Sequence, residues 1–169
     1  SLGHAAFIAV GAYSGAIFAT RHADLGGLWT GMLVGAVVAA VLAVLVGIPT
    51  LRLRGDYLAI ATLGVSEIIR VVITNYKTLT NGPQGINAIP KVATWPLVYF
   101  FMVVTTIVIL NYFYSSAGRA TYAIEQDEIA AESMGVNVTK YKVIAFVLGA
   151  ITAAIGGALY AGNIGVVTP

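Results

Sequence analysis

Five apolar runs alternate with short polar stretches along the 169 residues. They cover residues 5–20, 28–48, 57–74, 96–114 and 143–163, and each approaches or reaches the ~20 residues that a helix needs to cross a bilayer. The pattern predicts an all-α fold, a polytopic transmembrane helical bundle of about five spans. The breaks are turn-like. Arg21, His22 and Asp24 lead into Gly26 and Gly27. Pro49 ends the second run, and Gly55 offers a turn with Asp56 as N-cap of the third. Residues 75–95 form a polar loop punctuated by Asn81, Gly82, Pro83, Gln84 and Gly85. Aromatics gather at both ends of the fourth run, and Trp29 stands at one end of the second, where amphipathic rings suit the membrane–water boundary. Small residues recur at spacings of four, which let helix backbones approach closely: Gly11 and Gly15, Gly31 and Gly35, and Gly149, Ala153 and Gly157 as one packing face.

The longest polar interruption, residues 115–142, has a structure of its own. Of the chain's nine basic and seven acidic side chains, seven lie between Arg119 and Lys142. Residues 127–135 read as one short helix. Glu125, Asp127 and Glu128 cluster at its start, where the helix dipole favours negative charge, and Asp127 can accept from the amides of the first turn. Ile129, Ala130, Ser133 and Met134 fall on one side as a small apolar face. Gly135 sits where a left-handed residue stops a helix, and Asn137 or Thr139 caps the next one. A helix this short is not stable alone; it is held by its flanks or by what it docks against.

Composition agrees with the pattern. The chain is 59% hydrophobic and 9% charged, against roughly 25% charged for a soluble domain, so membrane lipid is its surroundings. With no cysteine and two histidines, no thiolate metal site, disulfide framework or catalytic constellation is visible. His4, at the mouth of the first run, reads as an interfacial or packed residue. A net charge of +2, scattered along the chain, is no footprint for nucleic acid. The chain begins and ends abruptly in apolar sequence, as an internal piece of a longer protein would.

Glu67 and Arg70 are charges inside a run. Three apart, they share one helix face, and charges at depth face the protein interior or a water-filled path. They are read as a mutual ion pair close to the far interface, with Arg70 snorkelling. Tyr57, Thr62, Ser66 and Glu67 are the polar candidates for a translocation path. Five alternating spans put Arg52, Arg54, Arg119, Lys140 and Lys142 on one side and Arg21, Lys77 and Lys91 on the other. The bias places residues 115–142 in the cytoplasm, and the sequon at Asn137 is then a chance match.

Four motifs occur in order: SLGHAAF with GAY; LRLRGDYLAIATLG with SEIIR; TNGPQGI; and GRA with QDEIAAESMG and TKYK. Together they resemble the permease subunits of branched-chain amino acid ABC importers of the LivM type, over nearly the whole chain. The resemblance implies a transmembrane permease domain covering residues 1–169, with residues 115–142 as a cytoplasmic coupling loop. A short helix of that loop would dock in a groove on an ATP-binding subunit through Asp127, Glu128, Ala130, Ala131, Glu132 and Gly135. Ala130 and Ala131 would keep it slim. The Leu-Pro that often follows in importers is absent here. The implied partners are two cytoplasmic ATP-binding cassette subunits, a second permease subunit and an extracytoplasmic solute-binding protein, with residues 75–95 as a candidate contact for the last. No cofactor is bound by this chain; the partner subunits use ATP. The implied location is the bacterial cytoplasmic (inner) membrane, and the implied cargo is leucine, isoleucine and valine. Urea or short amides would pass through related permeases. An ion-coupled secondary transporter is the competing class, with Glu67 as its one deep acid; an intramembrane enzyme or a purely structural subunit is a weaker alternative.

Overall fold

The computed structural model describes residues 3–53 and 55–169. Ser1 and Leu2 of the SLGHAAF motif, and Arg54 of the basic pair with Arg52, lie outside the described residues. Eight α-helices follow one another among the described residues: α1 His4–Arg21, α2 Leu25–Thr50, α3 Asp56–Asn75, α4 Lys77–Thr80, α5 Trp95–Tyr114, α6 Ser116–Gln126, α7 Glu128–Ser133 and α8 Val138–Ile164. Four of them, α2, α3, α5 and α8, are long and apolar enough to cross a membrane.

The fifth expected span, α1, is different in kind. It has 18 residues, about 27 Å at 1.5 Å per residue, and it carries His4 and Arg21 at its ends. Its place is the middle of the bundle between α2 and α8. Phe7, Ala16 and Ala19 are buried, so its neighbours, rather than its own hydropathy, keep it in the membrane. The glycines make this packing possible. A Cβ on Gly11 would overlap the carbonyl of Ala154, and one on Gly157 would overlap the carbonyl of Ile8. The buried stripe of α8 is Ala150, Ala154 and Ala158 with Gly157, not the expected Gly149, Ala153 and Gly157. Gly149 faces His4, and Gly149 and Ala153 line a cavity of about 600 Å³ between α1, α5 and α8. Both spacings of four exist in the same helix, and only packing against α1 decides which one is buried.

Three boundaries differ from expectation. Pro49 does not end α2, which runs on to Thr50. Pro49 lacks the amide that would bond the Leu45 carbonyl, yet the turn closes past it: the Thr50 hydroxyl donates to the Val46 carbonyl at 2.7 Å and the Leu51 amide to the Gly47 carbonyl at 2.9 Å. Gly55, not Asp56, is the N-cap of α3; it holds φ +59° and ψ −135°, and Asp56 is the first helical residue. Residues 75–95 are more than a polar loop. They hold α4 and a 3-10 turn at Gly82–Gln84, then run extended beside the chain that leaves α8. Ile86 and Val167 exchange backbone hydrogen bonds at 2.9 and 3.0 Å, the Ile89 amide donates to the Gly165 carbonyl, and the Ala93 amide to that of Gly162. Asn163 adds a side-chain bond to the Ala93 carbonyl at 2.8 Å. Ile89 and Ala93 are buried by this pairing.

Candidate functional site

The polar interruption folds as a small unit. Ser115 caps α6 by accepting from the Gly118 amide, and the hydroxyls of Tyr112 and Thr121 lie 2.7 Å apart, fixing α6 to the end of α5. The expected helix 127–135 is the six-residue α7, framed by its two expected caps. Asp127 Oδ1 accepts from the amides of Ile129 at 2.9 Å and Ala130 at 3.0 Å. At the other end Gly135 has φ +84°; its amide donates to Glu132 and that of Val136 to Ala131. That pair of reversed bonds satisfies the last carbonyls of a helix through a left-handed residue. Asn137, rather than Thr139, caps α8 by accepting from the Lys140 amide.

Ala130, Glu132 and Gly135 are exposed, as are Ile129 and Met134. Ala131 is turned inward and buried, so only one alanine of the pair faces outward. Lys142 bonds Glu128 at 2.7 Å, a cross-link that sequence reasoning missed, since no periodicity pairs residues fourteen apart.

The four polar candidates of α3 are not brought together. Tyr57 is exposed at its start, and Thr62 is fully buried with its hydroxyl on the Ala59 carbonyl. Ser66 and Glu67 line a cavity of about 360 Å³ between α1, α3 and the chain end Val166–Pro169. Arg70, which was not among the candidates, stands beside them. Its Nε donates to Glu67 Oε2 at 2.9 Å and its Nη2 to Oε1 at 2.6 Å. The expected pair therefore forms. It stands beside Ala5, Ala9 and Ala12 of α1 and the chain end Val166–Pro169, in the last third of α3. More than half of each side chain is exposed in this chain.

The whole chain, residues 1–169, matches the family described as branched-chain amino acid transport system / permease component. The chain belongs to this family. It is 34% identical, over 99% of its length, to the high-affinity branched-chain amino acid transport system permease protein LivM of Salmonella typhimurium, and equally to that of Escherichia coli. A nucleoside ABC transporter permease protein, NupC of Lactococcus lactis, is 24% identical over 95% of the chain and 58% of its own length. No solved structure matches. The chain spans about half the length of the LivM relatives, 47% of each. As a member of this permease family with four helices long and apolar enough to cross a membrane, it is a multi-pass inner-membrane protein.

Proposed function

We propose that this chain is part of the permease subunit of an ATP-driven importer that carries leucine, isoleucine and valine across the membrane, and that it performs no chemistry itself. The observation that carries the reading is α7. A capped, outward-facing helix is held between α6 and α8 with Ile129 and Met134 presented to solvent, on a chain otherwise built of membrane helices. Such a helix suits a groove on a cytoplasmic ATP-binding subunit, two of which would drive a pair of permease subunits. Asp127, Glu128, Ala130, Glu132 and Gly135 form the docking element; Ala131 anchors it to its own chain.

Force applied to α7 has a short mechanical route. The Glu128–Lys142 bond and the Asn137 cap join α7 to the start of α8, which continues unbroken for 27 residues. Its far end holds residues 86–93 through backbone bonds, the surface we assign to the extracytoplasmic solute-binding protein. Between the two, α8 slides on α1 over alanine and glycine backbones with little side-chain repacking. Ion coupling would load an ion or proton on an acid within a span, and Glu67, the one deep acid of these 169 residues, is engaged in an ion pair with Arg70.

The test is uptake by the complete importer in proteoliposomes with its binding protein. Leucine should accumulate only with ATP inside and be displaced by isoleucine and valine. Uptake driven by a proton gradient without ATP, or of nucleosides or urea in place of leucine, overturns the reading.

A further inference from the structure

A charge pair inside a membrane span, more than half exposed in this chain, does not face lipid tails, because charges at that depth turn to protein or to water. Its depth follows from α1 and α3. Ala5, Ala9 and Ala12 share the small cavity with Glu67 and Arg70, and their neighbour Gly11 rests on Ala154 of α8. Ala154 is the seventeenth residue of the 27-residue α8, roughly 24 Å from its start at 1.5 Å per residue. With Glu67 and Arg70 the twelfth and fifteenth of the 20 residues of α3, and with Val166–Pro169 beyond the end of α8 lining the same cavity, the pair lies within the span, toward the end of α3. The rest of the wall is mostly small or apolar, Ala9, Ala12 and Ile69 among it, with Ser66, Tyr160 and Thr168 as further polar groups.

The two side chains hold each other without exhausting their capacity. A guanidinium has five N–H donors, and the pair uses two; a carboxylate offers about four acceptor positions, and two are taken. The remaining donors of Arg70 and the remaining lone pairs of Glu67 belong to adjoining groups of one cavity. An ammonium and a carboxylate on one carbon have the same separation of charge in reverse. The pair as a whole is neutral, so the cavity accepts a molecule of zero net charge without leaving a charge uncompensated.

We propose that Glu67 and Arg70 form a binding site for the zwitterionic head of an α-amino acid, Glu67 accepting from its ammonium and Arg70 donating to its carboxylate, with the aliphatic side chain against the alanine and isoleucine wall. The proposal rests on the amino acid importer reading and adds the residues that would recognise what is common to its cargo. A cavity of about 360 Å³ has room for such a molecule with its waters. The site distinguishes zwitterions from neutral solutes, which gain nothing from a paired cation and anion.

The experiment is leucine uptake by the complete importer carrying Glu67→Gln, Arg70→Gln, or the exchanged pair Glu67→Arg with Arg70→Glu, each counted only as co-purified complex. Recognition predicts a loss of at least tenfold in all three, because the exchanged pair keeps its mutual bond but presents it reversed to the passage. Uptake by the exchanged pair within twofold of the unaltered importer shows a merely structural ion pair and overturns the proposal, as does undiminished uptake by the two neutral variants. The unaltered importer separates the two ideas: if it carries no amino acid, the importer reading falls first, whereas normal leucine uptake with insensitive variants removes this site alone. Where variants fail to assemble, Ser66→Cys decides. These 169 residues hold no cysteine, so in an importer whose other cysteines have been replaced a membrane-impermeant thiol reagent reports this position alone. Labelling slowed by leucine but not by 4-methylpentanoate, which lacks the ammonium, supports the site. An introduced thiol that never reacts, or that leucine does not protect, overturns it.

Discussion

Lys142 Nζ lies 2.7 Å from Glu128 Oε2, joining the first residue of α7 to the early turns of α8, and each side chain is only about a quarter exposed (23% and 27%). Exposed pairs contribute about 0.2–1 kcal/mol, and partial burial strengthens the attraction while adding a desolvation cost. The bond's position matters more than its energy, since it sets the angle at which α7 leaves the bundle. Glu128→Lys places two cations together and should release the ATP-binding subunits; Lys142→Glu should do the same. The double exchange restores the attraction and should recover part of the association, the remainder being the loss of the Glu128 carboxylate from the docking element. Co-purification of the ATP-binding subunits with the full-length permease measures this, with membrane insertion followed in parallel. Normal co-purification of both single variants would show that the bond does not orient the helix.

The caps of α7 make a second prediction. Nothing lies within 4 Å of a Cβ added at Gly135, so a side chain there is opposed only by the backbone at φ +84°. Left-handed conformation costs an L-residue roughly 1–2 kcal/mol, and more for a branched one. Gly135→Val should unwind the end of α7, and Asp127→Ala should loosen its start by about 1 kcal/mol. Hydrogen exchange over residues 127–137 should quicken in both variants while α8 beyond residue 145 keeps its protection. Unchanged exchange in Gly135→Val would mean that the helix is held from outside, not by its own caps.

Much of this was legible in the sequence. Periodicity and length located the long helices, and Asp127, Gly135 and Asn137 were readable as caps because capping depends on a few neighbouring atoms. The Glu67–Arg70 pair was readable because three residues on one helix always bring side chains together. What was hidden is whatever depends on another element. Which spacing-of-four stripe of α8 is buried is set by α1. The pairing of residues 86–93 with 162–167 joins segments some seventy residues apart, and polar turn residues conceal it. Ala131 is buried because α7 has a bundle to lean on, which a helical wheel of six residues cannot reveal.

The orientation inferred from loop charge gives a third prediction. Ala130 is exposed on α7, and with no cysteine in these 169 residues and any elsewhere in the permease replaced, one introduced thiol reports its own compartment. Ala130→Cys should resist an impermeant reagent added to intact cells and react after the membrane is opened. Thr78→Cys, in α4 on the opposite side by the same alternation, should show the reverse. Labelling of the Ala130→Cys variant from outside would invert the topology and remove α7 from the compartment that holds ATP.

The outer pairing offers a fourth test. Gly85 has φ +68°, and a Cβ there would overlap the Val167 carbonyl, the acceptor of the Ile86 bond. Gly85→Ala should therefore separate residues 85–87 from the chain leaving α8. If this surface receives the solute-binding protein, its affinity for the complete importer should fall while the ATP-binding subunits remain attached. Equal affinity for the variant would reduce residues 75–95 to a connecting segment.

Neighbouring glycines in α8 provide the last prediction, which concerns the contact on which any sliding of α8 depends. A Cβ at Gly157 would run into the carbonyl of Ile8 and stand 3.0 Å from the Ala12 amide nitrogen, whereas one at Gly156 meets nothing within 4 Å. The two positions share a helix turn, a membrane depth and nearly the same propensity, so they differ mainly in what they face. Gly157→Ala should force α1 and α8 apart and cost about 1–3 kcal/mol, the usual range for overpacking. Gly156→Ala should be neutral or slightly stabilising, since alanine is the better helix former by roughly 1 kcal/mol. Thermal unfolding of the purified complex in detergent separates them: the midpoint should fall for Gly157→Ala and hold or rise for Gly156→Ala. If the two midpoints moved together, the α1–α8 seam would have slack enough to absorb a methyl group, and close backbone contact would no longer explain why α1 stays buried despite its polar ends.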